Sequence, residues 1–470
     1  MYSRLTYAAL KVEVTENTML KPDTFFPIVS QDIVTQYSAN ASMPIIGNRT
    51  ERINPIKNLI EAPSGSIGLQ LEPKTLGHFL RAIYGAVTTG RYWSISGASG
   101  TFVAGETITA STSGATAVIS AISAEADYIL SGAITGTPVA GQTITGGTSG
   151  ATATIVAVSS SVYGHEFKAP QSSLPTYTLE IGYDDMAYRF GGVRFNAFNP
   201  VSQNDNIMTA EVMVMARSEF KHARVTAAVT AGAGAKTIPL DQTTGLTTSD
   251  TIKVFRPSTG AFLDFVSAGV KTHAPATIPG ETSITVTNLE TALAVGDLVV
   301  LAPQTPSYTL GKEFSWIGGS VVRAASTMAA AVAASAASIE AYTLQIMNEL
   351  EARHAANGTN LVNRFPSKNH LKKFTGEGTV KKAYLDQTFL DRMRNNTQTA
   401  WQFVHTGDQI SATGIYYTLD LRVPFSVLRP HSPSFEQDAL LDEEMEFDIY
   451  RDSTAGYSAK ALLVNEITAY

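Results

Sequence analysis

Apolar residues along most of this chain alternate with polar ones at the two-residue period of a half-buried strand. Ile67, Leu69 and Leu71 alternate with small or polar residues across Gly65–Pro73, and a short strand pattern surrounds Leu10–Val14. After Pro73 the period changes. Leu76, Phe79, Leu80 and Ile83 fall at helical spacing, Thr75 stands where a cap belongs and Gly85 where a helix stops, which predicts a short amphipathic helix over Thr75–Tyr84. Strand patterns resume at Pro175–Gly182, Tyr188–Phe198 and Ile207–Ala216, the last with Met208, Ala210, Val212 and Val214 on one face. Short turns between these three predict an antiparallel meander.

Two stretches repeat themselves. Val103–Thr109 returns as Val139–Thr145, and Ser113–Ala117 returns as Ser149–Ala153, inside a Gly/Ala/Ser/Thr-rich run from Gly97 to Val158. Each copy holds two β-prone pieces around a Ser-Gly turn, which predicts a pair of β-hairpins packed together, with a flexible low-complexity linker as the alternative. Further on, Thr237–Leu240 leads to Ser249-Asp250 and Ile252–Val254, and Ser283–Val286 leads to Gly296-Asp297 and Leu298–Val300. A small β domain is the simplest account of that figure.

The last third is divided. Alanine propensity favours helix over Ala324–Ala337. Beyond it, Ile339, Tyr342, Ile346 and Leu350 would line one helical face, while Tyr342, Leu344 and Ile346 also alternate. Strands are predicted at Ala400–Val404, Tyr417–Val423, Met445–Ile449 and Ala459–Val464, the last two as a closing pair around Asp452–Gly456. Near the start, Pro22, Pro27 and Pro44 exclude interior helix, and Tyr37–Pro63 reads as a long arm. There Arg49, Glu51, Arg52 and Lys57 sit beside Ile45, Ile46, Ile53 and Ile56, a mixture suited to a surface that another subunit covers, or else to a solvated loop.

Length and composition narrow the class. A chain of 470 residues exceeds one ordinary core, so several folding units are expected. With 44% hydrophobic and 16% charged residues it is globular. A formal charge of −7 argues against a surface that grips nucleic acid. Zero cysteine removes disulfides, thiolate metal sites and cysteine catalysis, and suits folding in a reducing cytoplasm. The N-terminus lacks the apolar run of a signal peptide, and no segment reaches the roughly 18 apolar residues of a membrane helix.

Signals for chemistry are sparse. The eight histidines (His78, His165, His222, His273, His354, His370, His405 and His431) lack the i, i+4 spacing of a helical zinc pair. Gly232–Thr237 lacks the glycine-to-Gly-Lys gap of a phosphate loop, and no G-x-S-x-G elbow is present. The acidic run of Asp438, Asp442, Glu443, Glu444 and Glu446 has no EF-hand spacing. It reads as a solvated face, or as a lumenal or inter-subunit charge patch. No catalytic, cofactor or metal residues are assigned, and the chain is not expected to be an enzyme.

The order of these motifs resembles the tail tube (major tail) proteins of long-tailed bacteriophages. The resemblance lies in the proline-punctuated start and arm, the Gly65–Pro73 strand running into the Thr75-Leu76-Gly77 helix that ends Tyr84-Gly85, His165-Glu166-Phe167, and the Leu179–Ile181 and Arg189–Phe198 strands. It continues in Asn357-Gly358, Thr375–Val380 with Leu385-Asp386, Phe403–His405 and Leu419–Pro424. It implies a mainly β chain: a discontinuous antiparallel β-sandwich or barrel core (1–90, 163–221 and 306–470) with one flanking short helix, assembling as stacked hexameric rings around a lumen. It also turns Ser338–Leu350 toward strand. Segments 91–162 and 222–305 depart from the minimal pattern and are expected as inserted small β domains that project outward. Implied partners are the chain itself and other tail proteins such as tape measure, terminator and baseplate or tip proteins, with DNA passing unbound, no membrane, and a place in the virion tail after assembly in the host cytoplasm. Alternatives are a baseplate, sheath or capsid component, a carbohydrate-binding adhesin built on the repeats, or a polysaccharide depolymerase, for which no carboxylate pair stands out.

Overall fold

The computed structural model describes residues 6–38, 60–169, 173–203, 206–263, 283–317, 319–352, 375–383, 388–411, 413–429 and 442–470. The chain is mainly β, its strand pairs antiparallel. It opens with β1 (Tyr7–Val12), β2 (Thr24–Phe26), β3 (Ser30–Gln31), β4 (Val34–Ser38), β5 (Ile60–Gln70) and α1 (Leu76–Tyr84). Strand β1 ends at Val12 because Glu13 turns inward, where its carboxylate accepts the N–H groups of Asn17 and Gly192 and the hydroxyl of Thr178. In β5 the alternation is realised: Ile67, Leu69 and then Leu71 are buried. Helix α1 buries the predicted stripe of Leu76, Phe79, Leu80 and Ile83, and stops at Gly85, whose φ of 91° is left-handed. Thr75 is not a side-chain cap. Its own backbone is helical, whereas a capping hydroxyl needs an extended residue. The Glu72 carboxylate instead accepts from the Lys74 and Thr75 N–H groups and the Thr75 hydroxyl.

The repetitive stretch folds as β6 (Thr88–Ser99), β7 (Thr107–Ala110), β8 (Thr116–Ile122), β9 (Tyr128–Ser131), β10 (Thr143–Gly146) and β11 (Thr152–Ala169). The two predicted hairpins, β7–β8 and β10–β11, are present and pair through β7 and β10. Because β8 also pairs with β9, β9 with β6, and β6 with β11, the ladders run in a closed ring. Closure leaves no free edge. Trp93, Ile108, Ile119, Ile129, Ile144 and Ile155 fill its interior. The copies are joined reciprocally. Glu106 of the first copy accepts the Thr148 and Ser149 N–H groups and the Ser149 hydroxyl of the second, and Gln142, its counterpart, accepts the Ser113 hydroxyl of the first.

Next come β12 (Tyr177–Gly182), β13 (Ala187–Gln203), β14 (Thr209–Met215), β15 (Ser218–Phe220) and β16 (Ala223–Arg224), then β17 (Gly232–Pro239), β18 (Ile252–Arg256), β19 (Ala261–Leu263), β20 (Ser283–Leu289) and β21 (Leu298–Leu301). The meander β12–β13–β14 is as predicted. The loosely recurring figure pairs with itself, β17 with β20 and β18 with β21, around Val225, Ile238, Val254, Ile284 and Val299. Before β18 and β21 stands the same four-residue turn as before β7 and β10. In Thr247–Asp250, Ala294–Asp297, Val103–Glu106 and Val139–Gln142 the fourth N–H bonds the first carbonyl. Except in the last, the fourth carboxylate also accepts the first N–H.

The chain closes with β22 (Ser320–Ala325), α2 (Met328–Ala333), β23 (Ala341–Met347), β24 (Thr375–Ala383), α3 (Thr388–Arg394), β25 (Thr399–Gln409), β26 (Tyr416–Leu428), β27 (Asp442–Ile449) and β28 (Ala459–Asn465). The helix expected over Ala324–Ala337 shrinks to α2. Ala324 and Ala325 are spent in the ladder to Trp401 and Ala400, since alanine supplies propensity but no apolar stripe to hold a longer helix. Tyr342, Leu344 and Ile346 face inward from strand β23. The expected pairing of β27 with β28 is not found. Both lie along the same edge of β26, β28 beside Thr418–Arg422 and β27 beside Ser426–Leu428. A single core, including Phe26, Phe79, Phe195, Trp401 and Phe447, runs through the strands on both sides.

Burial alone would raise the Glu106 carboxyl, but the N–H groups of Ser149, Val103 and Thr148 and the Ser149 hydroxyl hold it at about 2. A depressed carboxylate stabilises fully above its unfolded value of roughly 4.3, and that contribution is lost as pH falls toward the folded value. Glu106→Gln should therefore lower the urea midpoint at neutral pH, and its gap to the wild type should close as pH is taken from about 5 to about 2.

Candidate functional site

Strands β5, β14, β13, β23, β24 and β27 stand side by side in that order. Period-two alternation sends one face of this sheet into the core and leaves the other polar. On the outer face, Glu211, Glu377, Glu444, Glu446 and Asp448 outnumber Arg194, Lys381 and Arg429. The guanidinium of Arg429 reaches Glu377, Glu446 and Asp448 at 2.7, 2.9 and 2.6 Å. These bonds raise its pKa further.

The sequence-predicted acidic patch is therefore only partly a patch. Strand alternation places Glu444 and Glu446 on the polar face with Met445 buried between them, and Asp442 and Glu443 are described as strand backbone only. Asp448 and Glu377 join the patch through register, and Arg429 neutralises part of it. Asp438 lies outside the described residues, as do the arm residues Ile45, Ile46, Arg49, Arg52, Ile53 and Ile56. Their roots are described: β4 and β5 form a hairpin from Val34↔Ser64 to Ser38↔Ile60, continuous with the polar sheet. Among the described residues, no group of three or more His, Asp or Glu side chains could hold a metal ion. Burial keeps His78 and His165 at about 4 and His405 at about 3, so these imidazoles are neutral parts of the packing.

Two buried arginines, unforeseen in the sequence, join the repeat-bearing stretches to the rest. Arg422 of β26 donates to Asp420 at 2.6 Å, to Glu125 at 2.8 Å and to Asp127. Its ladder partner is Lys460 of β28. Like charges opposite each other in a sheet repel, and both are fully buried, so the pair stands because Asp420, Glu166 and the turn between β8 and β9 supply carboxylates. Burial pushes Glu125 upward, yet Lys460 and Arg422 outweigh it and hold the carboxyl below its usual range. An apolar seam of Leu130, Val162, Ile415, Leu462 and Val464 surrounds this lock. At the second junction, Arg189 of β13 bonds Glu180 at 2.6 Å, and Asp250 and the Gly245 carbonyl at 2.8 Å. Asp250 belongs to the repeated turn. Tyr7 and Gln304 donate to the other oxygen of Glu180.

The signal available was a charge inside an apolar strand: Arg422 between Leu421 and Val423, Lys460 between Ala459 and Ala461. Asp420 is a near neighbour of Arg422, but Glu125, which bonds both cations, lies 297 residues from Arg422 and 335 from Lys460, which no local pattern reveals.

No protein-family model matches this chain, and no curated protein is significantly similar to it in sequence.

Removing one member of a buried ion pair leaves an uncompensated charge. Arg189→Leu should cost about 3–5 kcal/mol, because Glu180 and Asp250 would remain buried without a cation. Urea unfolding of the two proteins at neutral pH measures the difference.

Proposed function

We propose that the chain is a structural subunit of a tailed phage, a tail tube protein whose rings, hexameric by resemblance, stack into the conduit for DNA. The observation that carries this reading is the six-stranded sheet. One face packs on the core, the other is polar and net acidic, and the β4–β5 hairpin extends it into the arm. A wall of that character repels phosphate, so DNA slides along it without being held. In this reading the tube core is an antiparallel sandwich or barrel made by 1–90, 163–221 and 306–470, and open strand edges pair between copies until the ring closes. The arm locks one ring to the next. Segments 91–162 and 222–305 are small β domains on the outside, held in fixed orientation by Arg422 and Arg189. Function then resides in assembly, with tape measure, terminator and baseplate or tip proteins as further partners in the virion tail.

Negative-stain electron microscopy of the concentrated protein tests this. Rings or tubes with a central hole a few nanometres wide are expected, with knobs outside. Replacing residues 39–59 by a two-residue Asn-Gly turn, which suits the Ser38↔Ile60 pairing, should leave rings but abolish their stacking. Particles with no central hole in the unaltered chain, under every assembly condition, would sink the reading.

A further inference from the structure

Lys460 and Glu125 are 0% and 2% exposed, and Nζ lies 2.6 Å from Oε2. Each neighbour of this pair has a chemical consequence. The Arg422 Nη1 donates to Oε2 at 2.8 Å and the Tyr457 hydroxyl to Oε1 at 2.7 Å, so both carboxyl oxygens are polarised by fixed donors. A second carboxylate, Glu166, stands with Oε2 3.9 Å from Nζ and is held by the Tyr128 hydroxyl and by Lys168. The rings of Tyr128 and Tyr457 lie 5.4 and 5.1 Å from Nζ and help to exclude water. Burial, aided by the charge of Arg422, holds the Lys460 amine below its ordinary range. An amine with a depressed pKa, a carboxyl with preorganised donors on its oxygens, an adjacent proton acceptor and a dry site are the components of acyl transfer.

We propose that Lys460 and Glu125 condense into an intramolecular amide that ties β28 covalently to the turn between β8 and β9. The resting pair is ammonium and carboxylate. A proton passes along the 2.6 Å hydrogen bond from Nζ to Oε2, giving amine and acid. The Nζ lone pair attacks the Glu125 carbonyl carbon, and the developing oxyanion on Oε1 is met by the Tyr457 hydroxyl. Glu166 takes a proton from the attacking nitrogen and returns it to the departing Oε2 hydroxyl, which leaves as water. The sum is ammonium plus carboxylate to amide plus one water, with no oxidant or other reactant. The bond closes a loop of 335 residues in sequence separation, and it fixes the repeat-bearing ring of strands to the core against pulling forces that a salt bridge does not resist.

Intact-mass spectrometry of the denatured full-length protein tests this directly. The expected result is a major species lighter than the sequence mass by one water, with a branched peptide joining the Glu125 and Lys460 segments after digestion. Lys460→Arg should restore the full mass. Glu125→Gln should change the loss from water to ammonia, which separates this bond from dehydration of an aspartate elsewhere. A folded wild-type protein at its full sequence mass, or a loss of water that persists in Lys460→Arg, would overturn the proposal and leave the pair a salt bridge.

Discussion

Strand β26 is where the molecule is joined. Its one edge is occupied by β25 along nearly its full length, and its other edge is divided between β28 and β27. Through β27 it continues into the polar sheet, and through β28 it continues into β11 and the closed ring of strands. Along that edge the change of partner falls between Arg422 and Ser426. Apolar side chains of β26, β27 and β28, among them Leu421, Phe447 and Leu463, belong to one core.

Buried charge follows the same division. Arg422 and Lys460 are adjacent on β26 and β28, and Asp420, Glu166 and the turn carrying Glu125 and Asp127 together relieve their repulsion. Burying such a cluster is costly in itself and offers little net stability over an apolar packing. What it supplies is orientation, because carboxylates must lie within hydrogen-bond reach of a planar guanidinium. Arg189 does the same for the second stretch through Asp250. Meanwhile the sequence between Arg91 and Lys168 contains no lysine or arginine, and its acids Glu106, Glu125, Asp127 and Glu166 are all engaged. The side of the ring away from the core, around β7 and β10, thus presents threonine hydroxyls and methyls in place of charge.

The recurrence of one four-residue turn in both stretches shows how a simple unit is reused. In two of its copies the fourth residue is an aspartate that also pairs with an arginine, Asp250 with Arg189 and Asp297 with Arg256. In the first it is Glu106, long enough to reach across to the other copy.

Much of the local structure was determined by sequence alone. The alternation at Ile67–Leu71, the stripe and glycine stop of α1, the three-strand meander and the paired hairpins rest on side-chain periodicity and backbone freedom, which act over a few residues. The acidic residues of β27 were visible, but their division between faces and their joining by Asp448, Glu377 and Arg429 were not. Tertiary structure alone decided that β26 separates β27 from β28, that Ala324 and Ala325 extend a ladder where propensity favoured helix, and that six strands close into a ring. It alone brought Arg422, Lys460 and Glu125 together. Those outcomes depend on which strand edges and which charges meet across hundreds of residues, and pairing energies of that kind leave no periodic trace in the chain.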